Sequence, residues 1–146
     1  MLGVLRPNGG GDALELAPQP GVRDLDSLIA RARETGLDAT LHVVGEPREL
    51  PAGVDLSAYR IAQEALTNVI RHAAARHVDV TLSFGAHALE VNVLDDGVGP
   101  GANGSGADGH GLVGMRERVA LFSGSLTAGA APRGRGYLVH AVLPLS

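Results

Sequence analysis

The chain has no cysteine and no tryptophan, and aromatic residues make up only 3% of its 146 residues. Without cysteine there is no disulfide framework and no thiolate metal site. Acidic residues outnumber basic ones by 16 to 12, so the net charge of -4 gives no electrostatic reason to bind nucleic acid. No apolar run approaches the roughly 20 residues of a membrane-spanning helix. No basic segment precedes an apolar stretch at the start, which argues against a signal peptide.

Hydrophobic residues make up 45% of the chain, which is enough for a core built from Leu, Val, Ile and Ala. The length suits one domain. Residues 8–21 are rich in Gly and Pro, which indicates a linker. We therefore divide the chain into residues 1–23, a linker with the remnant of a preceding segment, and residues 24–146, the folded domain.

Apolar residues recur with helical or strand periodicity through most of this domain. The pattern predicts helices at 24–35, from Asp55 or Ser57 to about residue 75, and at 112–122. It predicts strands at 39–44, 77–84, 88–94, 125–130 and 137–143. The long helix would bury an apolar stripe that includes Ile70. Together these elements predict a two-layer α/β sandwich, with a mixed sheet of about five strands and helices on one face.

A polar pair lies on the long predicted helix. Glu64 and Asn68 are one helical turn apart, so both side chains can point at one ligand. An Asn amide oxygen is the kind of hard ligand that Mg²⁺ takes together with substrate phosphates, and Glu64 could orient or deprotonate an attacking group. His72 shares the face of Asn68. For these residues taken alone, a solvated polar helix face is the alternative.

A second polar group, DDGVG at 95–99, directly follows the predicted strand at 88–94. Asp95 ends an apolar strand, where a carboxylate is costly unless it has a partner. An exocyclic amine, such as that of adenine, would be a good partner. Gly97 and Gly99 would let the backbone pass close to a base, because glycine has no Cβ atom. A plain Asp-Gly turn after a strand is the alternative.

A third candidate is the glycine-rich stretch GHGLVG at 109–114, which formally fits G-x-G-x-x-G. A dinucleotide site would need a strand directly before it and an acidic residue about 20 positions later, and the sequence has neither. A helix N-terminus at Gly109, Gly111 and Leu112 would still bind phosphate through its free N–H groups. The loop at 100–108 could then fold over the nucleotide as a lid.

These three motifs together resemble the ATP-binding domains shared by gyrase, the heat-shock chaperone, histidine kinases and MutL. The closer resemblance is to histidine kinases that pair with NarL-type response regulators. The stretch YRIAQEALTNVIRHA at 59–73 is similar to their N box, DDGVG at 95–99 to their G1 box, and GHGLVGMRER at 109–118 to their G2 box and the following helix. The resemblance covers about residues 24–145.

The resemblance implies the histidine-kinase-like ATPase fold and a site for ATP with Mg²⁺. Asn68 would hold Mg²⁺, and Glu64 would be the acidic residue of the N box and have a catalytic role. Arg71 would meet phosphate, and Asp95 would read the adenine amino group. The lid would lie at 100–108.

The sequence departs from the family's pattern at three points. Asp96 stands where Asn is common, which leaves open which contact that position makes in its loop. Gly136 and Tyr137 stand where Gly-Thr is usual, which weakens the adenine-side contact assigned to Tyr137. The helical segment that carries the phosphoacceptor histidine is not found, and residues 2–6 are expected to be its tail.

For the whole protein, the resemblance implies a protein-histidine kinase of two-component signalling that acts in the cytoplasm. Its partners would be a His-bearing dimerisation segment of the same kinase and a NarL-type response regulator. The parent protein would be a homodimer, and a membrane anchor would be compatible with it, while the fragment could be a monomer. Two alternatives are a non-enzymatic nucleotide-sensing module, against which Glu64 and Asn68 argue, and a serine kinase acting on an anti-sigma-type partner, which the stretch around Gln63 disfavours.

Overall fold

A computed structural model describes residues 19–72, 74–97, 106–131 and 136–145, with the backbone alone for residues 72 and 106–111. The described chain opens with a short 3₁₀ turn at Val22–Asp24. The longer elements follow in this order: α1 Leu25–Glu34, β1 Asp38–Val44, α2 Ala52–His72, β2 His77–Phe84, β3 Ala88–Asp95, α3 Gly106–Ala120, β4 Ser125–Ala130 and β5 Tyr137–Pro144. The three helices and five strands that the sequence predicts are all confirmed, with differences at some of their ends.

The five strands form one mixed sheet in the order β1-β2-β3-β5-β4. Strand β1 runs parallel to β2, and the long helix α2 makes the connection between them, whereas the other neighbours are antiparallel. Alternate residues of β2, β3 and β5 are buried, because one face of the sheet packs against the helices. The predicted two-layer α/β sandwich is therefore confirmed.

Helix α2 begins and ends earlier than the sequence predicts. The carbonyl of Pro51 accepts the first helical bond, from the N–H of Asp55 at 2.9 Å, so the helix starts at Ala52. The Asp55 carboxylate does not cap its own helix and instead accepts a 2.8 Å hydrogen bond from the N–H of Val22. Ile70, which the sequence assigns to the buried stripe, is 45% exposed. That assignment is wrong: Ile70 lies two residues before the end of α2, on a side of the helix that is not buried.

Helix α3 begins six residues before the predicted start at 112 and ends at Ala120 rather than at 122. The chain then turns through Ser123, which has a positive φ of 60°. Residues 98–105 lie outside the described part of the chain, and so does most of the predicted lid at 100–108. Residues 106–108 belong to α3.

The domain boundary drawn at residues 23 and 24 stays a prediction, since residues 1–18 lie outside the described part of the chain. Val22, on the linker side of that boundary, packs against the hydrophobic core and is hydrogen-bonded to Asp55. Among the described helices, none combines the length and apolar character needed to cross a membrane.

Candidate functional site

Glu64 and Asn68 lie next to the buried stripe of α2. The residues that follow them, Ala65 and Val69, are 2% and 6% exposed, whereas Glu64 and Asn68 themselves are half-buried. No hydrogen bond joins either side chain to another residue in the described ranges. A half-buried carboxylate and amide are costly unless water or a ligand satisfies them. The structure therefore leaves this pair available to a ligand.

Two further residues predicted for the site lie at the end of the same helix. Arg71 is exposed, and His72 is the last residue of α2, described by its backbone alone. Arg71 lies three positions after Asn68, so the two share one side of the helix. The guanidinium of Arg71 can therefore reach a charged group that Asn68 also contacts.

Asp95 is the last residue of β3 and is buried, with 4% of its surface exposed. It follows Leu89, Val91 and Val93 in the alternation of the strand, so its side chain lies on the helix-covered face of the sheet. Its Oδ1 accepts a 2.8 Å hydrogen bond from the backbone N–H of Gly97. The carboxylate is thus held in one orientation beside the helix layer that carries Glu64 and Asn68.

The surroundings of Asp95 shift its proton affinity. Burial raises the pKa of Asp95 above its usual range, and the nearby charge of Asp96 adds to this effect. Backbone hydrogen bonds from Gly97 and Tyr137 oppose it, without cancelling it. A carboxylate that is costly to bury and still has acceptor capacity favours a ligand that donates hydrogen bonds.

Strand β5 begins beside Asp95. Tyr137 is the register partner of Asp95 and packs half-buried against the core. The residue before it, Gly136, has φ +92°, and a Cβ atom there would collide with the carbonyl oxygen of Asp95. Sequence reasoning noted Gly136 only as part of a family pattern, and its positive φ and close approach were not expected. Gly99, also predicted for this region, lies outside the described residues.

The structure shows which contact Asp96 makes in its loop. Its Oδ1 accepts hydrogen bonds from the backbone N–H groups of Arg76 at 2.9 Å and His77 at 3.0 Å. The loss of some surrounding water would by itself raise the pKa of Asp96, but these hydrogen bonds outweigh that effect and lower the pKa below its usual value. The sequence had left this contact open.

The glycine-rich stretch is not a helix start in this structure. Gly109, Gly111 and Leu112 all lie inside α3, and Leu112 packs half-buried against the core. The unpaired N–H groups at a helix start belong to its first turn, and Gly111 and Leu112 lie beyond the first turn of a helix that begins at Gly106. The predicted helix start is therefore wrong, and the predicted contact of these residues with phosphate stays a prediction.

Residues 53–146 fit the family model of histidine kinase-, DNA gyrase B- and HSP90-like ATPases. The chain therefore belongs to this family of nucleotide-binding domains. It is 40% identical to the sensor histidine kinase YxjM of Bacillus subtilis over 127 residues. This matched region covers 86% of this chain and 30% of that protein. It is 33% identical over 110 residues to the sensor histidine kinase DesK of the same organism, which covers 73% of this chain and 30% of that protein.

Solved structures of histidine kinases share this fold. The histidine kinase domain from the Erythrobacter litoralis EL346 blue-light activated histidine kinase superposes with a TM-score of 0.64 at 20% identity. The superposition covers 84% of this chain and 58% of that one. The chain thus spans a little over half of that domain and about 30% of the length of the two curated relatives.

Proposed function

We propose that this domain binds Mg-ATP and donates the γ-phosphoryl group to a histidine on a separate dimerisation segment of the same kinase. The observation that carries the proposal is the half-buried pair Glu64 and Asn68, which has no partner among the described residues. Family membership supports nucleotide binding, and the curated relatives named as sensor histidine kinases support the phosphotransfer.

The donor set on α2 fits Mg²⁺. This ion prefers oxygen ligands and is usually held by one or two protein groups together with substrate phosphates. The amide oxygen of Asn68 would be the protein ligand, and Arg71 would offset phosphate charge from the same side of the helix. When bound, Mg²⁺ would neutralise charge on the phosphates. His72 stays a candidate contact of the nucleotide, because of its position near Asn68 alone.

The buried carboxylate of Asp95 fits adenine. Gly97 is hydrogen-bonded to Asp95 and has no Cβ atom, so a planar base would be able to approach the backbone there. The N6 amine of adenine donates hydrogen bonds, whereas guanine has an acceptor oxygen at the same place. Tyr137 and Gly99 would complete the base side, and Gly109, Gly111 and Leu112 the phosphate side.

The proposed role of Glu64 follows from the bonds that break and form when the phosphoryl group moves to a histidine. The bond from the γ-phosphorus to the bridging oxygen of ADP breaks, and a bond from that phosphorus to an imidazole nitrogen forms. Glu64 would orient the imidazole and accept its N–H proton. A half-buried carboxylate that no described residue engages is free to do this.

Further parts of the proposal concern the whole protein. We infer that it acts in the cytoplasm as a homodimer and passes the phosphoryl group to a NarL-type response regulator. The resemblance of the N, G1 and G2 boxes to that subfamily supports this assignment. The fragment by itself would be a monomer.

The test is transfer between two separate fragments. The domain, labelled ATP and Mg²⁺ are mixed with a His-bearing dimerisation fragment of a related kinase, and acid-labile, base-stable phosphate is measured on that fragment. We expect transfer with the wild type and a strong loss with Glu64→Gln at nearly unchanged ATP affinity. ATP binding without transfer by any His-bearing fragment would favour a nucleotide-sensing module, and acid-stable phosphate on a supplied partner would favour a serine kinase.

A further inference from the structure

The chain segment between α2 and β2 links the two halves of the site. Helix α2 carries Glu64 and Asn68 and ends at His72, and β2 begins at His77. Within this connector Ala74 has a positive φ of 50°, a conformation that favours glycine. The connector therefore needs contacts that hold it in place.

Asp96 supplies three hydrogen bonds to the end of this connector. Its Oδ1 accepts from the N–H groups of Arg76 at 2.9 Å and His77 at 3.0 Å. Its own N–H donates to the carbonyl oxygen of His77 at 3.2 Å. Asp96 thus holds the chain where it enters β2, a few residues after the end of α2, the helix that carries Glu64 and Asn68.

Asp96 also lies between two residues that are proposed to contact adenine. Asp95 precedes it and Gly97 follows it, and these two are joined by the 2.8 Å bond from the Gly97 N–H to the Asp95 Oδ1. Asp95 is buried and bonded to Gly97, whereas Asp96 is exposed and bonded to Arg76 and His77. The two neighbouring carboxylates therefore contact different parts of the chain. A shift of Asp96 would move Asp95 and Gly97 with it.

We propose that Asp96 is a positioning residue that sets the adenine-reading Asp95 relative to the helix carrying Glu64 and Asn68. The inference rests on the proposed function, since it assigns the two halves of the same nucleotide site. Both backbone N–H groups go to the single oxygen Oδ1. An asparagine with its carbonyl oxygen in that place can accept both, so the role depends on the acceptor and not on the negative charge.

The experiment compares Asp96→Ala and Asp96→Asn with the wild type by calorimetric titration of Mg-ATP and Mg-GTP. A misplaced recognition group weakens binding strongly, so Asp96→Ala should bind ATP about tenfold more weakly and discriminate less between ATP and GTP. Asp96→Asn should stay within about twofold of the wild type in both respects. A purely stabilising role would not change the ATP to GTP ratio.

Asp55→Ala is the matched control. The Asp55 Oδ1 also accepts one short hydrogen bond from a backbone N–H, that of Val22 at 2.8 Å, but at the opposite end of α2. This variant should unfold at a lower temperature with an unchanged ATP to GTP ratio. The inference is overturned if Asp96→Ala keeps wild-type affinity and ratio, if Asp96→Asn is as weak as Asp96→Ala, or if Asp55→Ala alters the ratio equally.

A readout without nucleotide separates this inference from the proposed function. In nuclear magnetic resonance spectra of the nucleotide-free domain, Asp96→Ala should shift both the backbone amide of Gly97 and the side-chain amide of Asn68. Asp96→Asn should shift them much less. Unmoved signals in Asp96→Ala overturn the inference even if the wild type binds ATP, whereas a wild type that does not bind ATP overturns the proposed function and leaves this spectral test in force.

Discussion

Gly136 lies against the carbonyl oxygen of Asp95, at the start of the strand whose next residue, Tyr137, is the register partner of Asp95. Its φ of +92° is a conformation that residues with side chains rarely adopt. The backbone behind the buried carboxylate is therefore packed without room for a Cβ atom. Position 136 consequently controls how closely β5 can approach the base side of the site.

Gly136→Ala should destabilise the domain. The substitution adds a strained φ and a collision with backbone that cannot move aside, so we expect a loss of more than about 1 kcal/mol in the free energy of unfolding. Chemical denaturation measures this loss. Gly129→Ala on the neighbouring strand is the control, because a Cβ atom there would meet nothing within 4 Å. Equal stability of the two variants would contradict the assignment.

Ala74→Gly should have the opposite effect. Ala74 follows the end of α2 with φ +50°, a place where glycine commonly terminates a helix. Relief of this strain should raise the free energy of unfolding by up to about 1 kcal/mol, partly offset by the greater freedom of glycine in the unfolded chain. A melting temperature at or below that of the wild type would show that the strain is not significant.

Asn68→Ala should remove the part of ATP affinity that depends on Mg²⁺. The amide oxygen of Asn68 is the proposed protein ligand, so titrations with Mg²⁺ and with a chelator should give nearly equal affinities in the variant. Asn92→Ala is the matched control, since Asn92 is half-buried on the sheet face away from the helices. A Mg²⁺ dependence that survives Asn68→Ala would assign the metal to other groups.

His77 should make stability depend on pH in a definite direction. Desolvation lowers its pKa, but hydrogen bonds with Asp38 and Asp79 outweigh this and raise the pKa above 6.5. The Nδ1–Asp38 Oδ2 distance is 3.2 Å and the Nε2–Asp79 Oδ1 distance 3.0 Å, and Asp79 is shared with His42 at 3.3 Å. The charged form is favoured in the folded state, so its stabilisation is complete below pH 6.5 and is lost as pH rises through the raised pKa.

The test compares the wild type with His77→Gln between pH 5 and 9, a window that spans about two units on either side of the ordinary histidine pKa. The difference in unfolding free energy should shrink as pH rises, and it should stay below about 1 kcal/mol because the His77 side chain is 39% exposed. His87→Gln, at an exposed turn, is the control. A difference that grows with pH would contradict the sign.

The sequence predicted most of the fold because strand alternation and helical periodicity are local signals. The strands at 77–84 and 125–130 have the predicted bounds, and Glu64 and Asn68 share a half-buried helix face as their spacing requires. Helix ends were less predictable. Asp55 has the chemistry of a cap but bonds to Val22, a tertiary contact across 33 positions that no local pattern reveals.

The contacts that arrange the site were also beyond the sequence. Asp96 bonds to Arg76 and His77 because β2 and β3 are neighbours, which places residues 19 and 20 positions apart in contact. The need for glycine at 136 arises from its approach to Asp95 and not from a turn motif. The glycines at 109 and 111 were assigned to a helix start, but they lie inside α3 although glycine has low helix propensity.

Asp95→Asn should change which base the site prefers. The carboxylate has about four acceptor positions, and backbone N–H groups of Gly97 and Tyr137 use only part of this capacity. Asparagine has one oxygen. If that oxygen keeps the bond from Gly97, the amide NH₂ takes the other position and donates where the carboxylate accepted.

An NH₂ group at that position would face the N6 amine of adenine donor to donor, whereas it would match the O6 acceptor of guanine. An unpaired buried polar group costs about 1–3 kcal/mol, so ATP affinity should fall at least about fivefold and the ATP to GTP ratio should fall further. Calorimetric titration of both nucleotides measures this ratio. Asp79→Asn, on the half-buried polar face of β2, should leave it unchanged. A wild type that binds GTP as tightly as ATP, or a ratio unaltered by Asp95→Asn, would remove Asp95 from base recognition.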